Sequence, residues 1–141
     1  GIGLDVGCGS GILSIAALRL GAESAFACDI DEKCVDVAYE NAALNGIGKD
    51  RYTVRWGDVL TDAALRREMG AGYDIVVANI VADVIMGLSP HVRPFLKPGG
   101  LFLCSGIIDE RAAEVLEKLK ADGWDVFEQR SSEGWFSYLC K

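Results

Sequence analysis

Apolar residues fall into two alternating rhythms along this chain. Ile2–Val6, Ser24–Cys28, Tyr52–Trp56, Tyr73–Ala78 and Leu101–Cys104 are short, β-prone runs. Runs of this kind, closed by glycine or acidic residues, predict strands buried in a parallel sheet. Longer segments with helical spacing lie between them. Gly11–Leu20 is stopped by Gly21, and Glu32 to about Asn45 carries Val35, Ala38 and Ala42 on one face behind an Asp31 N-cap. Thr61–Met69 predicts a short helix, and Ile80–Phe95 a helix interrupted near Pro90 and Pro94. Asp109–Ala121 is amphipathic, with Ala112, Val115, Leu116 and Leu119 as its stripe. Two strands in succession, Trp124–Glu128 and Trp135–Cys140, end the chain across Ser131-Ser132-Glu133-Gly134.

Strand and helix thus alternate five times before the closing pair. Such alternation predicts a doubly wound α/β fold, with right-handed crossovers and helices on both faces of the sheet. The short final connection predicts an antiparallel pair at one edge, giving a seven-stranded, mostly parallel, Rossmann-like sheet with an antiparallel last strand. No repeat or low-complexity linker divides the chain, so residues 1–141 are expected to form one domain. The sequence opens abruptly inside a predicted strand, and a further segment is expected ahead of Gly1.

Composition changes this picture mainly by exclusion. A formal charge of -7 argues against a domain that grips nucleic acid by itself and favours a cationic partner or a small ligand. No apolar run is long enough to span a bilayer, and no leader pattern opens the chain. The five cysteines, Cys8, Cys28, Cys34, Cys104 and Cys140, include no C-x-x-C pair, so no metal site or disulfide framework is expected. A reducing, cytoplasmic setting is the expectation that follows.

Ligands of doubly wound sheets bind beyond the carboxyl ends of the strands. The first strand runs into Asp5-Val6-Gly7-Cys8-Gly9-Ser10-Gly11, where Gly7 and Gly9 permit a tight turn and Gly11 opens a helix whose amides face the ligand space. Ile12 stands where a dinucleotide fingerprint would place its last glycine. Asp5, an acid at the end of a core strand, needs a partner, and a ligand ammonium is one choice. Asp29, followed by Ile30, ends the second strand 22 residues after Gly7, where an acid can accept both hydroxyls of a ribose, or it is an N-cap or a solvated strand end. Asp58, before Val59, could accept from an adenine amine or serve as a turn residue. Asn79, at the end of the fourth strand, offers an acceptor and a donor beside the same crevice, or caps the helix that follows. Ser105-Gly106 could shape the far side of the pocket. His91, the only histidine, sits beside Pro90 in a surface or capping position.

This set of strand-end residues behind a glycine loop resembles the class I S-adenosylmethionine-dependent methyltransferases over nearly the whole chain. The resemblance implies that Gly7, Gly9 and Gly11 pass beneath the methionine part of the cofactor. It also implies that Asp29 holds the ribose, and that Asp58 holds the adenine amine beside Val59. A narrower resemblance, to the PrmA family, rests on Asp5–Ala16, Ala78-Asn79-Ile80-Val81-Ala82-Asp83, Lys97-Pro98-Gly99-Gly100 and Ser105-Gly106-Ile107-Ile108. Members of that family methylate lysine and N-terminal amines of large-subunit ribosomal protein eleven, and carry a substrate-recognition domain ahead of this one. The Asn-Pro-Pro-Tyr-type motif of glutamine and base methyltransferases is absent after Asn79.

The expected activity is therefore protein N-methylation, with Asn79 as the catalytic residue that orients the amine through its carbonyl. No dedicated base is evident. A nicotinamide-dependent oxidoreductase shares the first βαβ unit, but Ile12 and the antiparallel final pair stand against it. A non-catalytic S-adenosylmethionine-binding module is the third alternative. Of the late aromatics Trp124, Trp135, Phe136 and Tyr138, most are expected to face the core rather than a partner.

Overall fold

In the computed structural model, which describes all residues Gly1–Lys141, successive side chains of strand β1 (Ile2–Val6) enter two different layers. Leu4 and Val6 join a core of 23 buried residues, which also takes residues from helices α3 (Ala63–Met69), α4 (Ala82–Leu88) and α5 (Asp109–Ala121). Asp5 points the other way, toward helix α1 (Ile12–Arg19), where Ser14 bonds to it. A second core of 10 buried residues lies on that face, built largely from α1 and α2 (Lys33–Leu44) packed on β2 (Ser24–Asp29) and β3 (Tyr52–Trp56).

Strands β4 (Tyr73–Asn79), β5 (Leu96–Ile108), β6 (Val126–Ser132) and β7 (Trp135–Cys140) complete one seven-stranded sheet in the order β3-β2-β1-β4-β5-β7-β6. All pairings from β3 to β5 are parallel, and β7 is antiparallel to both β5 and β6. The doubly wound, mostly parallel sheet inferred from the sequence is the fold observed. The helical cover is less even than expected. On the α1–α2 side, Ile75, Leu101, Leu103 and Leu139 are only half-buried and line a shallow hollow, because α1 and α2 pack on β1, β2 and β3.

Several boundaries move, each for a local reason. Helix α3 starts at Ala63 rather than Thr61, because Asp62 accepts from the Leu65 N–H at 3.0 Å and caps it. The predicted Ile80–Phe95 helix ends as α4 at Leu88 and continues as two 3-10 turns, Ser89–His91 and Arg93–Phe95, each with a proline near its start. The Lys97–Gly100 turn does not precede β5 but interrupts it. Tyr73 pairs with Leu96 and Ile75 with Leu101, so the extra residues bulge out and Lys97 reaches Asp74 as an ion pair.

Trp124 is not part of β6. The Trp124 N–H donates to the Leu119 carbonyl at 3.0 Å, a helix-ending bond that folds the indole back into the core. There the ring packs 5.1 Å from Phe102, and Nε1 donates to the Ser89 carbonyl at 3.0 Å. The strand after it extends to Ser132, since the β6–β7 hairpin closes on only Glu133 and Gly134. Both have positive φ, 51° and 83°, as a type I′ turn requires. Tyr138 is buried and Phe136 half-buried, as expected of core-facing positions, whereas Trp135 is exposed.

Candidate active site

Sheet register brings the strand-end residues level. Val6 lies between Cys28 and Ala78, Asp29 is opposite Trp56, and Asn79 is opposite Ser105. With neighbouring strands about 4.8 Å apart, Gly7, Asp29, Asp58 and Asn79 stand along one rim of the sheet.

The glycine loop is held against the end of β2. The N–H groups of Gly7 and Cys8 both donate to the Cys28 carbonyl, at 2.9 and 3.1 Å. The Gly9 N–H donates to Asp29 Oδ2 at 2.9 Å, and the Asp31 N–H to Asp29 Oδ1 at 2.9 Å. Asp29 thus braces two backbone turns while keeping further lone pairs for a ligand, since a carboxylate accepts about four hydrogen bonds. Helix α2 starts at Lys33 rather than Glu32, so Glu32 and not Asp31 takes the N-cap position; Asp31 instead accepts from the Lys33 N–H at 3.0 Å in the turn that leads into the helix. Gly7 has a φ of +75°, and a Cβ there would fall 2.2 Å from Ile80 Cγ2. Gly11 flanks the start of α1 and has no room for a side chain between Tyr52 and Ala38.

Beside this loop is a cavity of about 310 Å³. Gly7, Asp29, Ile30, Asp58 and Val59 line it, five of the residues singled out in the sequence. Asp58 Oδ1 accepts from the Leu60 N–H at 2.9 Å, and Trp56 Nε1 donates to the Ile30 carbonyl at 3.1 Å, tying the ends of β2 and β3 together. The remaining wall was not anticipated. It is made of Val6, Cys28, Gly57, Leu60, Ile80, Val81, Val84 and Leu88. The signal for part of it was present: Val81, Val84 and Leu88 are spaced i, i+3, i+7, one stripe that starts at the residue before α4 and continues along the helix.

Asp5, Gly9, Gly11 and Asn79 lie outside the cavity lining. Asp5 is 4% exposed, and its Oδ2 accepts from Ser14 Oγ at 2.7 Å. Its other oxygen and the nearby Tyr52 hydroxyl are buried without partners. Burial raises the Asp5 carboxyl above its ordinary range against the opposing Ser14 hydrogen bond, and the charge of Asp29 raises it further. Asn79 is exposed, and its carboxamide bonds to no other residue. It does not cap α4, which begins at Ala82 with Val81 as the flanking residue.

Beyond the Asn79–Ile80 tip is a second hollow, lined by Val81, Ala82, Asp83, Gly106, Ile108, Arg111 and Trp135. Val81 belongs to both spaces and, like Trp135, is more than half exposed. Arg111 donates to Asp83 at 2.6 Å and holds that carboxyl below the usual range. No histidine lines the cavity; His91 is exposed on a 3-10 turn outside it. The one thiol in the wall, Cys28, is pushed up to about 12 by burial, so it is neither a base nor a nucleophile at neutral pH.

A doubly wound sheet with a reversed β7, a glycine loop after β1 and acids beyond β2 and β3 is the arrangement of a class I methyltransferase. Solved structures agree. The ribosomal protein L11 methylase of Lactobacillus delbrueckii matches with a TM-score of 0.89 at 31% identity, over 99% of this chain and 69% of that one. An RNA methyltransferase of Salinibacter ruber in complex with S-adenosyl-L-homocysteine shares the fold, with a TM-score of 0.73 at 22% identity, over 98% of this chain and 78% of that one. The family model "Ribosomal protein L11 methyltransferase (PrmA)" matches residues 2–141, and the chain belongs to that family. Curated relatives include the ribosomal protein L11 methyltransferases of Agathobacter rectalis, 44% identical over 98% of this chain and 43% of that protein, and of Thermoanaerobacter pseudethanolicus, 44% identical over 97% and 42%. The chain spans less than half the length of these relatives.

Proposed function

We propose that this chain is the cofactor-binding, catalytic domain of a cytoplasmic S-adenosylmethionine-dependent N-methyltransferase that acts on lysine and N-terminal amines of ribosomal protein L11. The observation that carries this reading is the cavity bounded by the glycine loop, with carboxylates at Asp29 and Asp58 on otherwise largely apolar walls. Those residues suit the cofactor. Ile30 and Val59 offer apolar contact to an adenine, Asp58 an acceptor for its amine, and Asp29 an acceptor for the ribose hydroxyls. Gly7, Gly9 and Gly11 leave the backbone bare where a methionine moiety would run, and Asp5 supports this loop from beneath through Ser14 and α1. Bound there, S-adenosylmethionine supplies a methyl group already activated on a sulfonium.

The protein's own contribution is then alignment, which in favourable cases supplies about 7–11 kcal/mol. Asn79, exposed and unpaired beside the second hollow, accepts a hydrogen bond from the incoming amine and aims its lone pair. No histidine or thiolate lines the cavity and its carboxylates, Asp29 and Asp58, are engaged with the cofactor, so the ammonium gives its proton to water before it enters. The charge of -7 suits a basic protein substrate and not direct binding of nucleic acid.

The test is calorimetry with S-adenosylmethionine and S-adenosylhomocysteine, followed by labelled methyl transfer to purified L11. Saturable binding with transfer to lysine and N-terminal amines is expected. Binding without transfer to any amine would leave only a binding module, and a response to NADH in place of S-adenosylmethionine would overturn the cofactor assignment.

A further inference from the structure

We infer that Gly106 is a positioning residue for the transfer: the side chain it lacks leaves the seat that holds the Asn79 carboxamide. This rests on the role proposed above for Asn79. Asn79 and Ile80 form the tip of β4, which runs between β1 and β5. The neighbouring strands each contribute a glycine in the left-handed region, Gly7 at a φ of +75° and Gly106 at +77°. A Cβ on Gly7 would lie 2.2 Å from Ile80 Cγ2, and a Cβ on Gly106 would lie 2.4 Å from Asn79 Oδ1. Each tip residue therefore fills the space that one glycine leaves. Ile80 is seated on Gly7 and lines the cofactor cavity, while Asn79 is seated on Gly106, which lines the second hollow.

The sheet explains how Gly106 comes to this conformation. Pairing between β5 and β7 slips between Cys104 and Ile107, so the two residues between them depart from the regular ladder at the rim. Asn79 makes no hydrogen bond that would fix its amide, and the seat on Gly106 confines it instead. The atom a methyl group would meet is the free end of a side chain, not backbone. A methyl at 106 therefore turns the amide and moves the strand little. The left-handed backbone adds strain at 106 that is the same whatever stands at 79, and a double-variant cycle separates the two effects.

The experiment uses full-length protein, purified L11 as acceptor and S-adenosylhomocysteine as binding probe, with Gly106→Ala, Asn79→Gly and the double variant. Gly106→Ala is expected to bind the probe within about twofold of wild type while kcat falls about tenfold or more and KM for L11 changes less. In the Asn79→Gly background, adding Gly106→Ala should change kcat by less than about twofold. Proton–nitrogen correlation spectra should show the Asn79 side-chain amide shifted by Gly106→Ala, a readout that needs no acceptor. If Gly106→Ala alone fails to fold, recovery of probe binding in the double variant supports the seat, and failure of both overturns it.

Normal turnover in Gly106→Ala, an equal loss in the Asn79→Gly background, or an unmoved amide signal would also overturn it. Normal turnover in Asn79→Gly would remove the role of Asn79 and the inference together. Slow turnover in Asn79→Gly with normal turnover in Gly106→Ala would remove the inference alone.

Discussion

Asp29 Oδ2 accepts the Gly9 N–H at 2.9 Å, so the acid at the end of β2 and the glycine loop after β1 are one unit. Sequence spacing gives Asp29 a ligand-binding role, with a helix cap or a solvated strand end as the alternative. The structure gives it a second, that of bracing the loop that bounds the ligand space.

Asp29→Ala should therefore lose more than a ribose contact. Hydrogen bonds to charged groups contribute about 1.5–3 kcal/mol each, so affinity for S-adenosylhomocysteine should fall about tenfold to a hundredfold, as measured by calorimetry. Asp29→Asn can still accept from Gly9 through one oxygen and should fall between the two. Equal affinity in wild type and Asp29→Ala would show that neither the ribose contact nor the brace contributes to binding.

Gly7→Ala places a methyl 2.2 Å from Ile80 Cγ2 on a left-handed backbone. Left-handed strain of about 1–2 kcal/mol adds to overpacking of about 1–3 kcal/mol. A loss of roughly 2–5 kcal/mol in urea unfolding is expected, with weaker cofactor binding, since Ile80 lines the cavity. Trimming the partner in Gly7→Ala/Ile80→Ala should return part of the stability.

The role proposed for Asp58 can be tested by the chemistry of the base. A carboxylate accepts from the amine of adenine and repels the carbonyl of an inosine analogue. Wild type should prefer S-adenosylhomocysteine to S-inosylhomocysteine by about tenfold or more, and Asp58→Asn should narrow that preference. An unchanged ratio would place the base elsewhere.

Asp5 predicts a pH dependence of stability. Burial raises its folded-state pKa above the ordinary 3.8, so the folded protein holds this proton more tightly than the unfolded chain does. The associated stability is present below 3.8 and is lost as pH rises through the raised value. Asn at this position does not titrate. Asp5→Asn should therefore gain on wild type as pH rises from about 4 toward 7, read as the difference in urea midpoints. Ser14→Ala removes the one hydrogen bond to this buried carboxylate and should cost about 1–3 kcal/mol. Parallel pH curves for wild type and Asp5→Asn would contradict the raised value.

Much of this protein follows from its sequence alone. Five buried-strand runs alternating with helical stripes determine a doubly wound sheet, because period and run length decide which faces must be covered. Each strand's last residues must then lie on one rim, so Gly7, Asp29, Asp58 and Asn79 could be named as neighbours without coordinates. Tertiary structure decided what no local pattern encodes. The parity of β1 turned Asp5 toward Ser14 and away from the cavity, although the residue type suggested a ligand. The helix-ending bond at Leu119 sent Trp124 into the core instead of starting β6. The seats of Ile80 on Gly7 and of Asn79 on Gly106 join residues more than twenty positions apart, through strand order and a slipped register. Local periodicity fixes what each segment is, and only packing between segments fixes which side chain fills the space another leaves empty.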